Sequence, residues 1–220
     1  SDAYAAALAT LAGNTFECFC TRREIAEAAS APHGTVPRYP GICRNLTEAE
    51  RAERRRTRVP ALRLRADGAE QTISDLLHGT VTGAVDDIVV RRNDGTAAYH
   101  LAVVVDDGDT GVDQVVRGDD LLSSAVSQAH LARLLGYPVP TYAHVPLALN
   151  AEGRRLAKRD GAVTLADLAA LGRTPAQVLS LIAESLDLPP AGTVAELLPA
   201  FDPARLPRRP WIVHPVSVDP

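Results

Sequence analysis

From Gln114 to Leu149 the chain runs through an apolar stretch, a charged corner, a helical stretch and a second apolar stretch. Gln114-Val115-Val116 reads as a short buried strand leading into Arg117-Gly118-Asp119-Asp120. Leu121 to Leu135 reads as a helix closed by Gly136, and Tyr142 to Leu149 (YAHVPLAL) as the next strand. Strands alternating with a helix of this length point to an α/β architecture. The charged corner then lies at the carboxyl end of a buried strand, where open α/β sheets hold ligands. Arg117 suits a carboxylate or phosphate gripped through its planar fork, or else a surface ion pair. Asp119 and Asp120 suit an amine or a ribose, or else cap the helix.

The flanking sequence extends this pattern. Asp2 to Leu11 reads as a helix stopped at Gly13-Asn14, Thr15 to Cys20 as a strand, and Thr21 to Ser30 as a helix. Residues 44–65 carry eight arginines and read as a polar helix running into an extended segment, Val59 to Arg65. Val85 to Arg91 reads as a strand ending at the Asn93-Asp94-Gly95 turn, and Tyr99 to Val105 (YHLAVVV) is a second apolar run. Farther on, Thr164-Leu-Ala-Asp167 and Thr193-Val-Ala-Glu196 look like capped helix starts, and Thr174-Pro175 places Pro at a first helical position. The Pro-rich end, Pro203 to Pro220, reads as extended.

Composition narrows the function classes. The 220 residues carry a net charge of −4, so no protein-wide positive field is available to hold nucleic acid, and any such contact must be local. The arginines at 44–65 are one candidate RNA-facing patch, a solvated helix the other reading. No apolar run approaches the ~18 residues of a membrane helix, and there is no basic-then-apolar leader, so the expected address is the cytoplasm, with no membrane partner. Of the 23 Lys and Arg residues only Lys158 is lysine, and Met is absent, position 1 being Ser. The expectation is that Ser1 lies inside a longer product, trimming or a tag being the other reading. The lone Lys158 is either chance in an Arg-biased composition or marks a place where a compact point charge is needed instead of a planar fork.

The three cysteines, Cys18, Cys20 and Cys43, fall within 26 residues. Thiols clustered in this way in a cytoplasmic protein favour metal over disulfide. Zinc takes four tetrahedral ligands, so three thiolates leave one place. Nearby candidates are His33 and Tyr39, and imidazole is the more usual companion of thiolate. The alternative is three small buried hydrophobes without metal. Gly153-Arg154-Arg155-Leu156-Ala157-Lys158-Arg159 places four positive charges in a loop after an apolar strand. It is either a solvated basic loop or a mobile cationic one that neutralises charge at a transferred phosphorus.

In order along the chain stand Cys18-x-Cys20, Tyr39-x3-Cys43, Tyr99-His-Leu-Ala-Val-Val-Val-Asp-Asp, Val-Val-Arg117-Gly-Asp-Asp-Leu-Leu-Ser-Ser, Tyr-Ala-His-Val-Pro-Leu and Arg155-Leu-Ala-Lys158-Arg159. This series resembles the class I glutamyl-tRNA synthetases, and most of all their short paralogues that act on queuosine in tRNA(Asp). The resemblance covers essentially the whole chain. It implies a class I Rossmann-like α/β catalytic domain whose first half is missing, with a zinc-binding insertion and a short C-terminal helical region. The implied segments are the end of the first half at 1–14, the insertion at 15–84, the second half with its signature loop at 85–163, and helices with a tail at 164–220.

The resemblance also implies roles. Arg155, Leu156, Ala157, Lys158 and Arg159 match the KMSKS-type loop that contacts ATP, with Lys158 as its catalytic lysine. Tyr99 and Arg117 match positions that hold glutamate. Cys18, Cys20, Tyr39 and Cys43 match the ligands of one structural zinc, which replaces His33 by Tyr39. Partners would be L-glutamate, ATP with Mg2+, and tRNA(Asp), with the protein acting as a monomer. Glutamate would be activated as glutamyl-adenylate and passed to queuosine at the first anticodon position. Departures are Arg155 for the loop's first lysine, Ala157 for its serine, His100 where the short paralogues carry Gln, and the absence of the HIGH-type motif. The 61 residues after the loop, 160–220, are too few for the anticodon-binding region of a full glutamyl-tRNA synthetase, which favours the short paralogue. The other readings are a C-terminally truncated glutamyl-tRNA synthetase, against which the Pro-rich ending argues, and a non-catalytic zinc-containing module.

Overall fold

The computed structural model describes residues 2–28, 38–156 and 164–213, and the chain divides into two compact units. The first unit comprises residues 1–75, 80–115 and 121–142; the second comprises 76–79, 116–120 and 143–220.

In the first unit, helix α1 (Asp2–Thr10) leads through a 3-10 turn into strand β1 (Thr15–Cys18). Helix α2 (Arg22–Ala28) and the capped helix α3 (Glu48–Arg55) precede β2 (Ala61–Leu64). The Thr47 hydroxyl accepts the Glu50 N–H while the Glu50 carboxylate takes the Thr47 N–H, a reciprocal cap that starts α3. Strand β1 pairs antiparallel with β2, Thr15 opposite Leu64 and Cys18 opposite Ala61, and β2 pairs antiparallel with β5 (Val89–Arg91). Between them the chain forms β3 (Glu70–Asp75) and β4 (Gly79–Ala84). With β6 (Gln114–Gly118) and β7 (Thr141–Val145) these build a sheet of order β4-β3-β7-β6, β3 running parallel to β7 with Asp75 opposite Tyr142.

The apolar run Tyr99 to Val105 is the start of helix α4 (Tyr99–Thr110). Its buried residues are Leu101, Val104 and Val105, spaced three and four apart, so one helical face meets the core. Three consecutive valines suggest a strand by propensity, and burial of this face overrides them. Gly111, at φ 73°, ends the helix in the left-handed conformation that costs glycine least. Helix α5 (Leu122–Leu135) packs on α4 and on β3. Leu11, Leu64, Val90, Leu101, Val105 and Leu131 are each fully enclosed in the resulting core.

Other expectations are adjusted. Strand β5 covers only the end of Val85 to Arg91, because the buried Asp87 side chain binds the Ala66 N–H where a regular ladder would otherwise continue. Strand β6 is an edge strand with Val116 62% exposed, not a buried one. Pro146 divides Tyr142 to Leu149, leaving β8 (Ala148–Leu149) separate from β7.

In the second unit, β8 pairs in parallel with β9 (Trp211–Ile212). Helices α6 (Leu165–Ala170), α7 (Pro175–Ser185) and α8 (Val194–Leu197) begin at Thr164, Thr174 and Thr193, each threonine side chain accepting a backbone N–H three residues on. The Pro-rich end is not wholly extended, since Pro203–Arg205 forms a 3-10 turn before β9. Among the described residues no helix is long and apolar enough to cross a membrane.

Candidate functional site

Strand β1 carries Cys18 at its end and Cys20 two residues beyond, and the turn after Tyr39 returns Cys43 to the same spot. The three Sγ atoms all lie within 4.8 Å of one another. Cys20 Sγ is 3.5 Å from Cys43 Sγ, Cys18 Sγ is 3.4 Å from Tyr39 Oη, and Cys20 Sγ is 3.8 Å from the same oxygen. Tetrahedral zinc with bonds of about 2.3 Å to sulfur would separate its ligands by roughly 3.8 Å, so the three sulfurs and the phenol oxygen fit a zinc ion. Phe16, Phe19 and the half-buried Ile25 and Leu46 enclose the cluster.

Backbone and cations hold these ligands. The Phe19 N–H donates to Cys43 Sγ and the Cys43 N–H to Tyr39 Oη at 2.9 Å. Arg54 Nη1 lies 3.6 Å from Cys43 Sγ, and the Arg63 guanidinium sits 4.0 Å above the Tyr39 ring. Contact with the Cys43 thiol, then Tyr39 and Arg63, brings the Cys18 thiol down to about 4 despite burial. Hydrogen bonding to Cys18 and burial push Cys43 up, and burial with the Cys18 charge pushes Cys20 up. Burial and the bond to Cys18 raise Tyr39 as well. One thiolate shared among protonated neighbours is the charge state the pocket supports without metal. His33, the ligand favoured by thiolate chemistry alone, lies outside the described residues.

In the second unit, Arg117 stands near the carboxyl end of β6, and its Nε–H donates to Nε2 of His144 at 3.0 Å. His144 is fully buried in β7. Asp120 does not cap the following helix: the position before α5 is Leu121, with no side-chain cap, and Asp120 instead accepts a hydrogen bond from Arg155 Nη1 at 2.5 Å. That pair joins the Arg-Gly-Asp-Asp corner to the start of the cationic loop. Leu156 follows, 38% exposed; Ala157, Lys158 and Arg159 lie outside the described residues. Tyr99, in the first unit, is the first residue of α4, 55% exposed, its ring edge-on to His100. His100 Nδ1 in turn meets Gln128 Nε2 at 3.2 Å.

The structure thus brings the four cluster residues together and sets Arg117 and Arg155 on one corner around Asp120 and His144. Sequence reading gives His144 no role of its own and counts Arg54 and Arg63 only among the arginines at 44–65. A lone histidine inside an apolar strand and an arginine at an inward register position of β2 are the available signals.

Residues 2–185 match the family described as tRNA synthetases class I (E and Q), catalytic domain. A glutamyl-Q tRNA(Asp) synthetase of Nocardia farcinica is 62% identical over 213 residues, covering 96% of this chain and 68% of that protein. One from Cutibacterium acnes is 51% identical, covering 90% of this chain and 56% of its own length. Among solved structures, the glutamate-tRNA synthetase of Elizabethkingia anophelis matches with a TM-score of 0.72 at 22% identity, covering 94% of this chain and 50% of that one, which is a likeness of fold. The chain therefore belongs to the class I tRNA synthetases of the E and Q family, a family of ligases, on its glutamyl-Q tRNA(Asp) synthetase branch.

Proposed function

We propose that the protein activates glutamate with ATP and transfers it to queuosine at the first anticodon position of tRNA(Asp). The observation that carries this reading is the 62% identity with a glutamyl-Q tRNA(Asp) synthetase along 96% of the chain. A glutamate carboxylate oxygen attacks the α-phosphorus of ATP; the bond to the β-phosphate oxygen breaks and pyrophosphate leaves. The glutamyl group then passes from the adenylate to queuosine, releasing AMP.

Such chemistry asks the protein for positioning and charge neutralisation. In this reading Arg117 and Tyr99 hold the glutamate, and Arg155, Leu156, Ala157, Lys158 and Arg159 line the ATP side, Lys158 offsetting charge that grows on the leaving phosphates. Mg2+ would accompany ATP. Cys18, Cys20, Tyr39 and Cys43 would hold one zinc ion, which supplies cross-linking of β1 to the turn before α3 and takes no part in the reaction. The cytoplasm and a monomeric state complete the proposal, with segments 1–14, 15–84, 85–163 and 164–220 as its working division.

The test is a glutamylation assay on the complete gene product, comparing queuosine-containing tRNA(Asp) with tRNA(Glu), alongside ATP–pyrophosphate exchange. Labelling of queuosine-containing tRNA(Asp) alone is expected. Charging of tRNA(Glu) instead would point to an ordinary glutamyl-tRNA synthetase, and no exchange at all would point to a non-catalytic module.

A further inference from the structure

A polar ring that is fully enclosed must have its nitrogens satisfied, or it costs more than the apolar residue that would fill the same slot. His144 occupies such a place near the end of β7, between Ala143 and Val145. Its Nε2 receives the Nε–H of Arg117 at 3.0 Å. Its main-chain carbonyl accepts from Nε2 of His78, on the turn after β3, at 3.2 Å, which ties down the strand backbone at the same residue. All of these groups lie within the second unit.

Arginine can only donate. Nε2 of His144 must therefore present a lone pair, and the ring carries its proton on Nδ1; an imidazolium would have no lone pair with which to accept. The bond also restricts Arg117. A guanidinium offers a carboxylate two bidentate edges, one made by Nε with an Nη and one made by the two Nη nitrogens. With Nε committed to His144, the edge that includes Nε is closed to a bidentate carboxylate.

We infer that His144 is a positioning residue that holds the Arg117 guanidinium through its Nε, so that Arg117 is presented to the glutamate carboxylate in one orientation. This inference rests on the proposal that Arg117 holds glutamate. A planar fork held less firmly would still attract the carboxylate but would spend less time in the productive orientation. The effect falls on glutamate, with ATP untouched.

ATP–pyrophosphate exchange on the complete gene product separates these roles. His144→Phe keeps the ring volume and removes the acceptor; His144→Gln places an amide oxygen where Nε2 stood. Phe is expected to raise KM for glutamate by about 10- to 100-fold with KM for ATP within about 2-fold, and Gln to restore KM for glutamate to within about 3-fold. Arg117→Gln, run beside them, is expected to raise KM for glutamate at least as much. If Arg117→Gln raises it and His144→Phe does not, the positioning role falls while the glutamate assignment of Arg117 stands. If neither variant moves it, both fall. Should His144→Phe fail to fold, 15N-histidine NMR of the unsubstituted protein decides: an Nδ1-protonated His144 supports the inference, and an Nε2-protonated or doubly protonated ring overturns it.

Discussion

Arg44 and Asp87 form an ion pair in which the carboxylate is fully buried: Arg44 Nε and Nη2 reach Asp87 Oδ2 at 2.7 and 2.5 Å, while Oδ1 takes the Ala66 N–H at 2.9 Å. Arg44 directly follows Cys43, so this carboxylate anchors the return limb of the cysteine cluster to the segment between β2 and β3.

Removing Asp87 leaves the Ala66 N–H and the partly exposed Arg44 guanidinium without their acceptor. Asp87→Ala is expected to destabilise the protein by about 1–3 kcal/mol, and Asp87→Asn, which still accepts from Ala66, by less. Chemical denaturation of both variants measures this. Equal stability of Asp87→Ala and the parent would show that the pair contributes nothing net.

Zinc binding to the cluster should depend steeply on pH. Cys18 is already a thiolate near neutrality, its thiol lowered to about 4, whereas Cys20 and Cys43 are pushed up and must lose protons to bind metal. Affinity therefore rises with pH and falls on acidification, with about two protons released per ion and a change of roughly 100-fold per pH unit around neutrality. Calorimetry in buffers of different ionisation enthalpy counts the protons; a third would come from Tyr39. Cys18→Ser should abolish stoichiometric zinc, and chelation should lower Tm by several degrees. A protein that folds fully at one and the same Tm with and without chelator would rule out the structural metal.

Replacing Gly108 in α4 by alanine reverses the usual sign. Ala is ordinarily favoured over Gly in a helix by about 1 kcal/mol. Here an added Cβ would overlap the Tyr137 ring, whose hydroxyl is held by Asp109. Gly108→Ala is expected to cost about 1–3 kcal/mol, read from the denaturation midpoint. A more stable variant would mean that Tyr137 swings away freely.

Lys158→Ala in the complete gene product should reduce ATP–pyrophosphate exchange by about 100-fold or more, because one aligned cation at a developing charge has that weight. Lys158→Arg should recover only part, since a planar fork replaces a point charge. An unchanged rate would remove Lys158 from the machinery.

How much of this is legible in the chain depends on which physical signal each segment carries. The threonine caps of α3, α6, α7 and α8 and the glycine stop of α5 are local chemistry, and three of those caps and the stop can be read directly. Strands β3 and β4 cannot. The inward positions of β3 are Gln71, Ile73 and Asp75, so two of the three buried side chains are polar, and β4 begins and nearly ends with glycine. Helix α4 is hidden by its valines. The cysteine cluster is visible as spacing, and Tyr39 enters through family resemblance, since thiolate chemistry alone points to imidazole. His144 stands in the sequence only as part of a family motif, and its bond to Arg117, twenty-seven residues away, is not legible there.

Strand β8 has neighbours on both sides. Along one side Leu147 and Leu149 accept the Trp211 and Val213 N–H groups, and along the other Leu149 bridges to Arg155 and Ala148 receives the Leu156 N–H. Residues 211–213 are therefore a splint for the stem from which the cationic loop departs. A tag, a proteolytic nick or a substitution near Trp211 would be felt first as slack at Arg155, so the seat of the Arg155–Asp120 pair is governed in part by a strand more than fifty residues downstream.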